Sequence, residues 1–245
     1  MREQIKWQTK RAAVYHIASF ILSCVIVFSC SDQQEKAPPQ MTTSSDESFT
    51  FFDIGRTTTL TKSVRKSLNT KLGRDAIEYR SIIDLKINYP GFLQQYFPEI
   101  HELNQQLNYP PGERIEHNTV KLMYRYAQKK NIPFDYVELV FSDYTQNPIV
   151  FRIHFKEDDS NIIETLKSKY GEPTSIDWNL ENGQSIFWEK NQDYLIVSLV
   201  PDQFGQHEHQ VVIYFAENLR TLIDTERAEK QKREEERAKS GEKAF

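Results

Sequence analysis

Tyr136-Val137-Glu138-Leu139-Val140-Phe141 and Ile149-Val150-Phe151-Arg152-Ile153-His154-Phe155 decide the fold class of this 245-residue chain. β-branched and aromatic residues crowd both runs, and Tyr144-Thr145-Gln146-Asn147-Pro148 between them carries the Asn-Pro turn signal. The spacing predicts a β-hairpin with a longer loop. Towards the C-terminus, Gln184–Glu189 and Tyr194–Val200 flank Lys190–Asp193 as a second hairpin, and Gln210–Phe215 reads as a final strand. Between the hairpins, Asp159-Ser160 opens a short helix through Tyr170 that Gly171-Glu172-Pro173 ends.

Towards the N-terminus, Val120, Met123, Tyr124 and Ala127 sit at helical spacing and predict a helix over Thr119–Lys130, with Asn118 as its cap. Tyr109-Pro110-Pro111-Gly112 breaks the chain before it. Helical spacing also follows Pro90 and restarts at Pro98, through Ile100, Leu103 and Leu107. Ile77 to Ile87 alternates, with Ile77, Tyr79, Ser81, Ile83, Leu85 and Ile87 on one face, as in a half-buried strand. Leu60, Val64, Leu68 and Leu72 recur every four residues in a helix over Thr57–Leu72, and Gly73 stands where a C-terminal glycine belongs. The sum is an α+β single domain over residues 51–223, a mainly antiparallel sheet with helices packed on one face and no convincing internal repeat. From Leu219 a helix continues to about Lys239, but its apolar stripe fades after Ile223. Residues 224–245 therefore read as a charged tail, helical or disordered, whose removal after about Glu229 leaves stability unchanged.

Fifteen Phe and twelve Tyr supply enough aromatic volume for a core. Net charge is -4; residues 1–29 hold four basic residues and one acidic, so the remainder carries 27 basic against 34 acidic. An acidic balance speaks against nucleic acid as a partner. The only cysteines are Cys24 and Cys30, so residues beyond them have neither disulfides nor thiolate ligands.

Both cysteines lie at the N-terminus. Residues 1–11 are basic, Ala12–Phe28 is apolar, and Ser31-Asp32-Gln33-Gln34-Glu35-Lys36 is abruptly polar. That order is a secretory signal. Val27-Phe28-Ser29-Cys30 resembles the lipobox of bacterial lipoproteins. The resemblance implies cleavage of residues 1–29, acylation of Cys30, and membrane anchoring through the acyl chains. In an organism with two membranes, Ser31 after the cysteine, with Asp32 one place later, implies the outer membrane, facing the periplasm. Ile21-Leu22-Ser23-Cys24 also fits the pattern, and Ala12–Phe28 is at the short limit for an uncleaved span of a ~30 Å hydrocarbon layer. Residues 30–50 read as the lipidated cysteine and a flexible tether. Leu166-Lys167-Ser168-Lys169-Tyr170-Gly171-Glu172-Pro173, followed by a tryptophan-bearing strand, resembles uncharacterised exported bacterial domains and implies no activity.

The eight glycines are too scattered for a phosphate cradle or a nucleophile elbow, and HExxH and EF-hand patterns are absent. His207 and His209 share a strand face at metal-binding spacing, but a solvated strand entry explains them as well. Glu116 and His117, with Arg114 to bind an anion, are the candidate acid–base cluster; a capped, solvated helix start is the competing reading. Trp178, Trp188 and Tyr124 read as packing residues. No cofactor or metal is expected. The sequence thus leads to the expectation of a non-enzymatic binding or assembly factor of the cell envelope, contacting another envelope protein or peptidoglycan. The alternative is an envelope hydrolase with its site near Glu116 and His117.

Overall fold

The computed structural model describes residues 48–125, 132–155, 160–178, 183–201 and 207–242. They belong to one compact unit, Thr43–Phe245. The signal segment, Cys30 and nearly all of the tether lie outside the described residues. In chain order the elements are α1 (Lys62–Leu72), β1 (Ala76–Ser81), α2 (Phe92–Tyr96), α3 (Pro98–Leu107), β2 (His117–Arg125), β3 (Phe134–Ser142), β4 (Pro148–Phe155), α4 (Ser160–Tyr170), β5 (Thr174–Asp177), β6 (Gln184–Lys190), β7 (Asp193–Pro201), β8 (His207–Tyr214) and α5 (Ala216–Glu242). Among the described residues, eight strands form one antiparallel sheet in the order β1-β2-β3-β4-β8-β7-β6-β5. The expected α+β class and both expected hairpins are observed.

Helices cover both faces of this sheet, where the sequence led us to expect one. Leu68 and Leu72 of α1 and Leu166 and Tyr170 of α4 pack on the face that carries Leu122, Leu139, Phe151 and Ile213. On the opposite face, Phe92, Ile100, Leu103, Leu219 and Leu222 of α2, α3 and α5, with Phe97 at the α2–α3 junction, cover Val140, Val150, Ile196, Val212 and Tyr214. The reason is visible in runs such as Leu139-Val140-Phe141 and Leu195-Ile196-Val197, where consecutive buried residues alternate between the two cores. A strand that is apolar on both faces needs cover on both.

The segment expected as a helix over Thr119–Lys130 is strand β2 as far as Arg125; residues 126–131 lie outside the described ones. Val120, Leu122 and Tyr124 alternate into one core, between β1 on one side and β3 on the other. Val120 and Tyr124 satisfy both periods, and ladder pairing on two sides decides for the strand. The expected strand over Ile77–Ile87 is pairing only through Ser81. At Arg80 (φ 57°) the register shifts, a bulge that turns the chain over the sheet edge. Ile77 packs in one core, Ile83 and Leu85 in the other, and Tyr79, expected inside, is 64% exposed.

An internal repeat that the sequence hides is plain in the backbone. α1 and α4 are each eleven residues long. Each ends at a glycine with positive φ, Gly73 (89°) and Gly171 (85°), and each leads to an edge strand. Four antiparallel strands follow in each half, and the halves join at β4 and β8. Registers correspond too. Tyr124↔Val137 and Val137↔Ile153 in the first half match Trp188↔Leu195 and Leu195↔Ile213 in the second, all in one core. The α2–α3 pair is an insertion in the first half alone.

The start of α5 is capped from another part of the chain. The Asp193 carboxylate, fully buried, accepts a hydrogen bond from the Ala216 N–H at 3.0 Å and lies 3.8 Å from the Arg56 guanidinium. Burial pushes its carboxyl up to about 6 with Glu217 adding to the rise, while Ser48, Arg56 and the Ala216 N–H oppose it. The folded form therefore takes up this proton at higher pH than an unfolded Asp near 3.9. The resulting stabilisation is complete below about pH 4 and is lost as pH rises through about 6. Unfolding free energies from urea denaturation of the unsubstituted chain and Asp193→Asn should diverge by about 1–2 kcal/mol between about pH 5 and 7.5, with the variant relatively more stable at the higher pH. A difference that does not change with pH would contradict this account.

Candidate functional site

The expected acid–base cluster is not assembled. Glu116 faces solvent and pairs with Arg114 at 3.3 Å, both side chains being about half exposed or more. His117, the first residue of β2, is only 3% exposed. Its Nδ1 lies 2.7 Å from Glu226 Oε2 on α5, and the other Glu226 oxygen accepts the Asn118 N–H at 2.7 Å. A carboxylate is acceptor-only, so Nδ1 carries the proton in this pair. The Asn118 amide donates to the Tyr144 hydroxyl, which donates in turn to Glu229 Oε2 at 2.8 Å. Burial, with Glu229 beside it, raises the Tyr144 phenol above its ordinary range. Asn118 is thus no helix cap, and His117 is not solvated: both fasten α5 to the sheet. The anchorage of α5 extends two turns beyond the fading of its apolar stripe at Ile223.

The other residues singled out fall as follows. Trp178 and Trp188 are buried, and their indole N–H groups donate to Ser185 Oγ (3.1 Å) and the Gly171 carbonyl (2.7 Å). Tyr124 is core. His209 is buried, not solvated as expected, and borders a shallow cleft of about 200 Å³ beside α4. The His207 side chain lies outside the described residues. Among the described residues, no group of three His, Cys, Asp or Glu is placed to hold a metal ion.

Sequence reasoning missed a cleft of about 530 Å³ at the β4–β8 seam, beneath the Tyr89-Pro90-Gly91 turn that starts α2. Its floor is the sheet face on which Val150 gives way to Arg152 and His154 along β4, with Gln210 opposite His154 on β8. The signal was present in Val150-Phe151-Arg152-Ile153-His154: on a central strand, the face shared by Val150 turns polar while the other stays apolar. The remaining walls come from residues 86–101 and cannot be located without the fold.

Arg152 is held by a ladder of charges running across the sheet. Glu78 and Lys121 are 3.3 Å apart, Lys121 and Glu138 4.0 Å, and Arg152 and Glu138 2.7 Å. The other terminal nitrogen of Arg152 donates to the Asp84 carbonyl. Tyr136 donates to Glu138 at 2.8 Å, and burial, reinforced by Glu138, raises its phenol well above the ordinary range. His154 packs edge-on against Tyr136 at 5.7 Å. Burial lowers its pKa with help from Arg152, against Glu208, Glu138 and Asp135, so the ring is neutral near pH 7. The floor thus presents a rigidly oriented guanidinium, a neutral imidazole and a carboxamide. Such groups fix a ligand by hydrogen bonds and charge.

The chain matches no family model, no curated protein and no solved structure. Its function has to be argued from this geometry and from the N-terminal sequence.

Proposed function

We propose that the chain is an envelope lipoprotein, anchored through Cys30, whose domain binds a partner or ligand at the seam cleft without transforming it. The observation that carries the binding half is the cleft, which is large enough for a small ligand and already furnished with fixed polar groups. The alternative site near Glu116 and His117 has no comparable support, because His117 is enclosed and held by Glu226.

Anchoring rests on the Val27-Phe28-Ser29-Cys30 boundary. Cys30→Ala should abolish acylation and leave the signal attached, giving an intact mass without lipid and with residues 1–29 retained. Membrane-bound mature protein of unchanged processing in that variant would refute the anchor, and acylation lost only in Cys24→Ala would move it. Binding is tested by placing a photo-crosslinking residue at exposed Gln94, on the cleft rim, or at exposed Lys66, on the opposite face. An adduct specific to position 94 and suppressed by Arg152→Met supports the cleft. Equal adducts at both positions would refute it.

A further inference from the structure

We propose that the seam cleft receives the C-terminal carboxylate and last peptide units of a short peptide. This inference rests on the binding reading above and narrows it to one class of ligand. Among the described residues, the charged ones on the cleft wall are Lys86 and Arg152, and no Asp or Glu lines it. Arg152 spends one N–H of each terminal nitrogen on Glu138 and the Asp84 carbonyl. Among the described residues neither terminal nitrogen has a further partner, which leaves the second N–H of each, in the guanidinium plane, for a ligand. A planar pair of donors suits a carboxylate.

The rest of the lining argues for amides next to that anion. Asn88, Gln94 and Gln210 each bring a donor and an acceptor. The Asn88 Oδ1 atom is buried and has no hydrogen-bond partner among the described residues, while its amide nitrogen donates to Ser185 Oγ at 3.3 Å. The carboxamide oxygens of Gln94 and Gln210 can each accept an N–H from the ligand. Inorganic phosphate or a bare fatty acid brings none, whereas each peptide unit brings one. Tyr89, Leu93 and Val212 supply an apolar wall for a small side chain, and Tyr89 is fixed edge-on against Phe92 (5.3 Å) and Trp178 (5.5 Å). The chemistry fits a C-terminus ending in small residues, and such an end exists both on proteins and on the stem peptides of peptidoglycan.

The test uses the full chain in detergent micelles and four probes: acetyl-Lys-D-Ala-D-Ala, its L,L isomer, and the C-terminal amide of each. Calorimetric titration should give a dissociation constant below about 1 mM for a free acid and at least about tenfold weaker binding for its amide. Ring signals of labelled His154 should shift on binding. Gln94→Glu places a like charge at the exposed rim and should weaken the acid about tenfold with an unchanged melting temperature. Arg152→Met should abolish the preference for acid over amide. A preference for the D,D acid assigns the ligand to peptidoglycan; an L,L preference, or none between the isomers, assigns it to a protein C-terminus. Acid and amide binding alike, or no probe moving the His154 signals, would overturn the inference. In either case an Arg152-dependent adduct at position 94 would leave the broader binding reading intact.

Discussion

Phe151→Ala is expected to remove about 3–5 kcal/mol of stability, the range for deleting a buried aromatic ring. Phe151 is fully buried on β4 and stands between Leu139 on β3 and Ile213 on β8. Its ring lies 5.6 Å from that of Phe141 and 5.2 Å from that of Phe215, so truncation leaves a cavity walled by rigid neighbours. Domains of this kind are stable by only about 5–15 kcal/mol, so the loss is a large fraction of the whole. Urea denaturation of the purified chain measures it. Tyr79→Ala, on the exposed side of β1, is the control and should change stability by less than about 0.5 kcal/mol. A loss under about 1 kcal/mol for Phe151→Ala would show that the seam core closes around the gap.

Glu226→Ala should cost about 2–4 kcal/mol, because it strips the acceptor from two buried donors at once, the Asn118 N–H and His117 Nδ1. Glu226→Gln keeps one acceptor oxygen and should lose less. Truncation after Glu229 retains both carboxylates of the network and should leave stability within about 0.5 kcal/mol, whereas truncation after Asp224 should cost as much as Glu226→Ala or more. Equal stability of the two truncations would mean that the α5 contacts contribute nothing. The same geometry makes His117→Ala costly, contrary to what a solvated histidine would imply.

Hairpins were legible because β-branched runs and turn residues act locally. α4 and Gly171 were legible for the same reason, as were the restart at Pro98 and the glycine after α1. What the sequence concealed depends on partners distant in the chain. β2 satisfies the helical and the extended period alike, and only β1 and β3 choose between them. The second covered face needed recognition that Leu195-Ile196-Val197 serves two cores. The repeat escaped notice because side chains diverged while register persisted: Leu68, Lys71 and Gly73 match Leu166, Lys169 and Gly171, and little else nearby does. The cleft draws on residues 86–101, 152–154 and 210–212, which no local pattern unites.

The seam between β4 and β8 also governs how the chain reaches this structure. β3 with β4, β6 with β7 and β7 with β8 are pairings between neighbours in sequence, but Val150↔Tyr214 and Ile153↔Val211 close a loop of roughly 60 residues, costing about 2 kcal/mol more chain entropy than a hairpin turn. Contacts of such long separation dominate the barrier in slow-folding β proteins. Apart from β1, which pairs with β2 across the α2–α3 insertion, each half forms from hairpin-like pairings, so docking of the halves along β4 and β8 is the expected rate-limiting event. In denaturant-dependent kinetics, truncating Ile213 should slow refolding, and truncating Trp188, away from the seam, should chiefly speed unfolding.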